Sequence, residues 1–264
     1  MIKNTYSFAG TIAVLEPQGL VALAERDLII HATLLMLAVV VPVYLLTFFI
    51  SWYYRAGNTK AKYVPNWEHA KMDELIWWAI PFEIILVLGA LTWGSTHELD
   101  PQRPLALETP PIVIEVVALQ WKWLFIYPEE GIASINFVEF PAQRPVEFHI
   151  TADAPMNSFW IPQLGGQIYA MTGMSTTLHL AADHAGDFAG VSANYSGAGF
   201  ADMKFVARAS SQEDFNAWVA AAKQSPKTLS WDAYTVLKEP GTTTPRTYAP
   251  VEKNLYNRVL MLFH

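Results

Sequence analysis

The chain has 264 residues, of which 52% are apolar and only 16% charged, and its mean hydropathy is +0.21. That composition excludes a disordered chain and is too apolar for an ordinary water-soluble protein. Seventeen Lys and Arg against 24 Asp and Glu leave a net charge of −7, which excludes a basic nucleic-acid surface, and the absence of cysteine excludes disulfides, zinc fingers, iron–sulfur clusters, thiol catalysis and thiolate copper sites.

Residues 1–27 read as an external tail. Lys3 followed by the apolar run Phe8 to Leu15 is too short for a span and marginal as the core of a signal. Leu28 to Tyr54 then contains no Asp, Glu, Lys or Arg. About 20 such residues cross a hydrocarbon core of about 30 Å, so this run spans a membrane with length to spare. Pro42 is tolerated, because neighbouring helices or waters satisfy the carbonyl it frees. Trp52, Tyr53 and Tyr54, followed by Arg55, have the amphipathic character of an interfacial belt. His31 is expected to be a partner-satisfied polar group near the end of the span.

A second run, Leu75 to Trp93, carries Pro81 and one ionisable group, Glu83. The hairpin is therefore placed at 28–97, with spans at about 28–54 and 75–95. Arg55, Lys60, Lys62 and Lys71 lie between the spans and Arg103 alone just after them, so the connection is expected on the cytoplasmic side and everything after Trp93 outside. A charged group at the bilayer centre costs at least about 2.5 kcal/mol, so Glu83 is expected to face a protein partner rather than lipid. Asp73 and Glu74 open the second helix. Two readings of Glu74 stand side by side: an acid that complements the helix dipole, or a boundary carboxylate that exchanges protons with water.

After a linker at 98–109, the pattern from Pro110 changes to period two. Ile112, Ile114 and Val116 alternate with Val113, Glu115 and Val117, followed by stretches of β-formers at Trp121 to Tyr127, Ile135 to Phe140, Val146 to Thr151, Thr176 to Leu180, Phe188 to Tyr195 and Met203 to Ala207. Six to nine short strands over 110–209 predict a β-sandwich or small barrel. In the extension, 210–264, Ser211 opens a capping-box-like start to a helix through about Lys223 that buries Phe215, Trp218 and Val219. The stretch EPGTTTPRTYAP reads as a loop, and Glu252 to Phe263 as a short amphipathic helix. His179 and His184 are five apart, an odd separation that on a strand points two side chains to opposite faces, and AADH is expected to turn between them; with His149 on a nearby strand, all three are expected to be surface or core histidines rather than a metal site. No hydrolase motif is present.

Four stretches carry a family resemblance: YRAGNTKAKYVPNWEH between the spans, LQWKWLFIYPEEGIASINFVEFPAQRPVEF, MNSFWIPQLGGQIYAMTGMSTTLHL and GVSANYSGAGFADMKF. Together they resemble subunit II of the haem–copper respiratory oxidases, within it the bo-type ubiquinol oxidase branch. The resemblance implies a two-helix transmembrane hairpin plus an all-β, cupredoxin-like sandwich with short C-terminal helices. Copper-bearing members hold a dinuclear centre on two thiolates, two imidazoles, a methionine sulfur and a backbone carbonyl. Carried onto this sequence, those positions are Asn157 and Phe200 for the imidazoles, Ser192 and Ser196 for the thiolates, Asn194 for the carbonyl and Met203 for the thioether. Only Met203 keeps a ligand's identity, so no metal or other cofactor is expected on this chain.

The resemblance further implies a non-redox subunit of a proton-pumping oxidase in the bacterial inner membrane, with its sandwich in the periplasm. Quinol oxidation, both haems and one copper are expected in the polytopic subunit I. Further small membrane subunits and lipid are expected partners, cytochrome c and nucleic acid are not, and no lipidation is expected. Glu74 is expected at the entrance of the K-type proton pathway, whereas Trp121 and Trp123 are expected to be packing residues. The alternative is a membrane-anchored, cupredoxin-like binding module outside any oxidase.

Overall fold

The computed structural model describes residues 12–62, 64–66, 68 and 70–263. Phe8 to Thr11, part of the short N-terminal apolar run, lie outside the described residues. The chain divides into two compact units, one made of the residues up to Arg26 together with Asp100 onward, the other of Asp27–Leu99.

The second unit is helical. Helix α1, Leu20–Tyr53, has 34 residues, and α2, Lys71–Glu98, has 28. At 1.5 Å per residue they measure about 51 Å and about 42 Å, more than a hydrocarbon core requires. α1 begins ahead of Leu28, since Leu20 to Arg26 continue the same helix. Pro42 and Pro81 lie inside their helices, and neither helix ends there. The most apolar stretches of both helices have no residue buried within the chain. Leu34, Phe48, Trp78 and Ile85 are all open, so this surface has to be covered by lipid or by other polypeptides. Polar groups in the spans satisfy themselves locally where they can: His31 Nδ1 lies 2.6 Å from the carbonyl of Asp27. At the foot of α1, Arg55 donates to the Trp52 carbonyl at 2.9 Å and stacks over the Trp52 ring at 5.2 Å. The two contacts fix the guanidinium beside Trp52 at the end of the helix.

The first unit is a two-sheet sandwich. Strands β1 (Ile112–Leu119), β2 (Lys122–Tyr127), β3 (Ile132–Ile135), β5 (Val146–Ala152), β8 (Thr176–Leu180) and β11 (Arg246–Tyr248) form one sheet in the order β11-β3-β2-β1-β5-β8. Strands β4 (Phe137–Pro141), β6 (Asn157–Trp160), β7 (Ile168–Ala170), β9 (Gly186–Ser192) and β10 (Lys204–Ser210) form the other, ordered β4-β10-β9-β6-β7. The run read as one strand from Ile135 to Phe140 is two. Asn136 takes φ 52°, a left-handed conformation that asparagine tolerates, and there the chain leaves one sheet for the other. Its side chain secures the corner by accepting from the Trp123 amide at 2.8 Å and donating to the Thr243 carbonyl at 2.8 Å.

Between the sheets Trp123, Phe125, Phe148, Phe159 and Phe205 pack ring against ring, with Phe159 and Phe205 stacked at 5.0 Å. The six-stranded sheet is buried on its other face too. Val117, Leu119, Leu124, Ile126, Ala133 and Ile135 meet Leu229, Tyr234, Leu255, Tyr256 and Val259 of the C-terminal extension. This second layer explains why every residue of β2 and β3 is buried, rather than every second one.

The extension holds α3 (Gln212–Lys223), α4 (Trp231–Leu237) and α5 (Leu255–Leu260). Ser211 caps α3 by accepting from the Asp214 amide at 3.0 Å. Two features depart from the sequence reading: α4 is an unanticipated helix, and the stretch read as a loop contains β11, which pairs with β3. Long-range contacts hold both. Tyr234 donates to the Asp153 carboxylate at 2.8 Å, and Lys122 Nζ donates to the carbonyls of Leu237 and Glu239 at 2.8 and 2.7 Å.

The start of α1 is strapped to the sandwich within the same unit. Gln18 N donates to Gln163 O at 2.8 Å, Ala22 N to Leu164 O at 3.2 Å and Asp183 N to Gln18 O at 2.9 Å. Gly19 permits this approach, because a Cβ there would collide with the backbone carbonyl of Ala181.

Candidate functional site

One end of the sandwich gathers most of the six positions singled out in the sequence. Asn157 opens β6 and Ser192 closes β9, both buried. Ser192 Oγ donates to Asn157 Oδ1 at 2.8 Å and lies 3.4 Å from the Asn194 carbonyl. Asn157 Nδ2 donates to the Pro155 carbonyl at 2.7 Å, and Asn194 Nδ2 to the Met156 carbonyl at 3.0 Å. Met203 is buried, and its carbonyl accepts from the Ser192 amide at 3.2 Å. The remaining two positions are turned to other partners. Phe200 packs edge-on against Tyr195 at 5.6 Å, and the Ser196 carbonyl accepts from Trp121 Nε1 at 3.1 Å. Ser196 Oγ is buried without a hydrogen-bond partner among the described residues.

The loop is shaped to hold Trp121. That residue sits in the two-residue turn between β1 and β2 with φ 69°, and a Cβ on Gly199 would enter its ring. Trp123, two residues on, is fully buried in the aromatic core. Both tryptophans thus act as packing elements in this chain.

The gathered donors are two carboxamides, one hydroxyl and a thioether. Hydroxyls remain protonated near neutral pH and are hard donors, and a single thioether cannot retain copper, so this set does not fit a dinuclear copper centre. Among the described residues no group of three or more His, Cys, Asp or Glu is arranged to hold a metal ion.

His179 and His184 are separated by the bend that follows β8, whereas His149 and His179 meet at one carboxylate. His179 stands directly opposite Glu147 in the β5–β8 ladder, with His149 diagonal to it. His149 Nε2 lies 3.0 Å from one Glu147 oxygen and His179 Nε2 3.8 Å from the other. His179 Nδ1 and its own amide both reach the Pro101 carbonyl at 3.1 Å, which ties the linker to the edge of the sheet. His184 lies apart, in the bend before β9.

Glu115 escaped the sequence reading. It neighbours His149 in the β1–β5 register, and burial pushes its carboxyl up to about 7. Tyr256 of α5, which bonds Ser175 at 2.7 Å, is pushed up to about 12, by burial first and with Glu115 contributing. The available signal was a lone carboxylate in the apolar run IVIEVVAL. Glu74 lies in the first turn of α2 beside Asp73, with its amide bonded to the Ala70 carbonyl at 2.9 Å.

Residues 223–264 match the COX Aromatic Rich Motif family. The chain is 55% identical over 232 residues to the cytochrome bo(3) ubiquinol oxidase subunit 2 of Pseudomonas putida, covering 88% of this chain and 74% of that one. Its identity to the subunit of the same name from Pseudomonas aeruginosa is 51% over 250 residues, covering 94% and 76%. Among solved structures, the periplasmic domain of cytochrome oxidase subunit II from Bradyrhizobium japonicum superposes with a TM-score of 0.42 at 22% identity, covering 45% of this chain and 97% of that one. A helical membrane anchor joined to this sandwich, with relatives so similar over most of their length, defines a subunit II of the haem–copper respiratory oxidases. Within that class the chain belongs to the ubiquinol oxidase subunit II family.

Proposed function

We propose that this chain is the non-redox subunit II of a proton-pumping oxidase that takes electrons from ubiquinol and reduces O2 to water. The observation that carries the reading is the donor set at the end of the sandwich. Asn157, Ser192, Asn194 and Met203 are tied to one another or buried, and they offer neither thiolate nor imidazole. An electron port for a one-electron protein donor is chemically absent from this arrangement, so four electrons per O2 must enter elsewhere. In this reading quinol is oxidised in a polytopic subunit I that also holds the haems and the remaining copper.

The chain anchors in the bacterial inner membrane with the connection between α1 and α2 cytoplasmic and the sandwich periplasmic. The excess of Arg55, Lys60, Lys62 and Lys71 in that connection supports this orientation. Glu74, at the cytoplasmic start of α2, serves as the entrance of the K-type proton pathway. Its place in the first turn of the helix, half exposed, lets it exchange protons with bulk water.

Affinity purification of the full chain from its membrane in mild detergent, followed by an optical spectrum, tests the assignment. Co-elution with a large haem-bearing membrane polypeptide is expected. A stable haem-free chain purified alone would instead establish a free-standing membrane module.

A further inference from the structure

The foot of α1 carries positive charge that the sequence around it leaves unopposed. Arg55, Lys60 and Lys62 lie close together, and no Asp or Glu occurs between Asp27 and Glu68. Like charges held so near one another favour an anion supplied from outside the segment.

The chain folds so that two of these cations line an apolar cleft. Just past α1 the backbone turns on Asn58: its amide donates to the Arg55 carbonyl at 2.9 Å, its Nδ2 to the Tyr53 carbonyl at 2.5 Å, and its Oδ1 accepts from the Lys60 amide at 3.1 Å. The returning residues Ala61, Lys62 and Val64 and the last turns of α1 share a cleft of about 960 Å³, at the upper end of the range of ligand pockets, about 300–1,000 Å³. Leu46, Phe49 and Ile50 supply its apolar wall, with the i, i+3, i+4 spacing of one helix face. Leu46 stands about 10 Å from Tyr53 along the axis, so that wall reaches about a third of the way into a hydrocarbon core. Arg55 and Lys62 also line the cleft, and among the described residues no Asp or Glu does. Arg55 uses one N–H group on the Trp52 carbonyl, which leaves the rest of its fork for a ligand.

A free phosphate has no use for the apolar wall, and an uncharged acyl chain has none for the cations. A lipid with a net negative headgroup matches both: its phosphate meets Arg55 and Lys62 while an acyl chain lies along Leu46, Phe49 and Ile50. We propose that this cleft binds one anionic phospholipid, with Lys60 adding to the attraction. The site belongs to the membrane anchor and does not depend on the oxidase assignment.

Photolabelling tests it. The full chain is reconstituted into phosphatidylcholine vesicles doped with phosphatidylglycerol bearing a photoreactive group in one acyl chain, or in a parallel set with phosphatidylcholine bearing the same group. Labelled peptides are then quantified by mass spectrometry. Phosphatidylglycerol is expected to label residues 46–64 at least about tenfold more than phosphatidylcholine, since each cation near an anionic headgroup favours it about fivefold. The deeper stretch 34–40 of α1 should take both equally, and excess inorganic phosphate should leave the preference in place. Arg55→Gln combined with Lys62→Gln is expected to reduce the preference to within about twofold. The complex with which the chain co-purifies should keep the preference of the chain alone. Equal labelling of 46–64 by the two lipids overturns the proposal, as does a preference that survives the double substitution or that inorganic phosphate abolishes. Loss of labelling in the complex overturns it too, because another polypeptide then fills the cleft. If the doubly substituted chain fails to insert, the two lipids compared on the unaltered chain and its complex still decide.

Discussion

At the scale of single residues, the sandwich carries a destabilising carboxylate. Glu115 points from β1 toward the layer formed by the C-terminal extension, and burial lifts its carboxyl from 4.5 to about 7. A raised carboxylate means that the folded chain holds a proton the unfolded chain releases. Stability therefore falls as pH rises from about 4.5 to about 7, and the full penalty persists above that. Glu115→Gln removes the charge and nearly keeps the shape. Thermal unfolding of the full chain in detergent should show the variant more stable at pH 8, by about 1 kcal/mol once solvent screening of a partly exposed group is allowed for. The difference should shrink to nothing as the pH falls below 4.5, where both the folded and the unfolded carboxyl are protonated. Equal stability of the two proteins at pH 8 would show that the carboxylate finds a compensating partner.

At the scale of elements, the start of α2 holds the carboxylate proposed to exchange protons. Glu74 and Asp73 stand in the first turn, where carboxylates also favour the positive end of the helix dipole. The two roles separate by substitution. Glu74→Ala is expected to slow oxygen reduction by the assembled complex at least about tenfold, the scale on which losing one proton-transfer group is felt, with haem content and subunit stoichiometry unchanged. A purely structural acid would leave turnover intact and lower the stability of the helix by about 0.3–1 kcal/mol.

The elements also show what the residues could reveal by themselves. The spans were legible because two long apolar runs, the first without Asp, Glu, Lys or Arg and the second with Glu83 alone, match the length of a bilayer crossing, and α3 because Ser211 and Asp214 mark its cap. The alternation of Ile112, Ile114 and Val116 located β1. The corner at Asn136 was hidden because apolar residues continue on both sides of it while the chain changes sheets. Strands β6 and β7, four and three residues long, are too short for any period to register. Helix α4 and β11 owe their places to Asp153, Lys122 and β3, all distant in sequence. The grouping of Asn157, Ser192 and Asn194 could be anticipated only through the family resemblance. By contrast, the meeting of His149 and His179 at Glu147 depends on a strand register that no local pattern fixes.

At the scale of the whole molecule, an apolar anchor without internal burial is joined to a sandwich buried on three layers. Two kinds of surface follow. The anchor depends on its surroundings for cover, whereas the sandwich is closed by its own extension, where Tyr234, Leu255, Tyr256 and Val259 seal the outer sheet. In the proposed reading, such a chain holds other subunits in the membrane and conducts no electrons itself. Oxygen uptake by the purified complex, measured with ubiquinol and separately with reduced cytochrome c as the only donor, tests that claim most directly. Rapid uptake with ubiquinol and none above background with cytochrome c is the predicted result. Sustained uptake with cytochrome c alone, accompanied by two copper ions bound stoichiometrically to this chain, would contradict it.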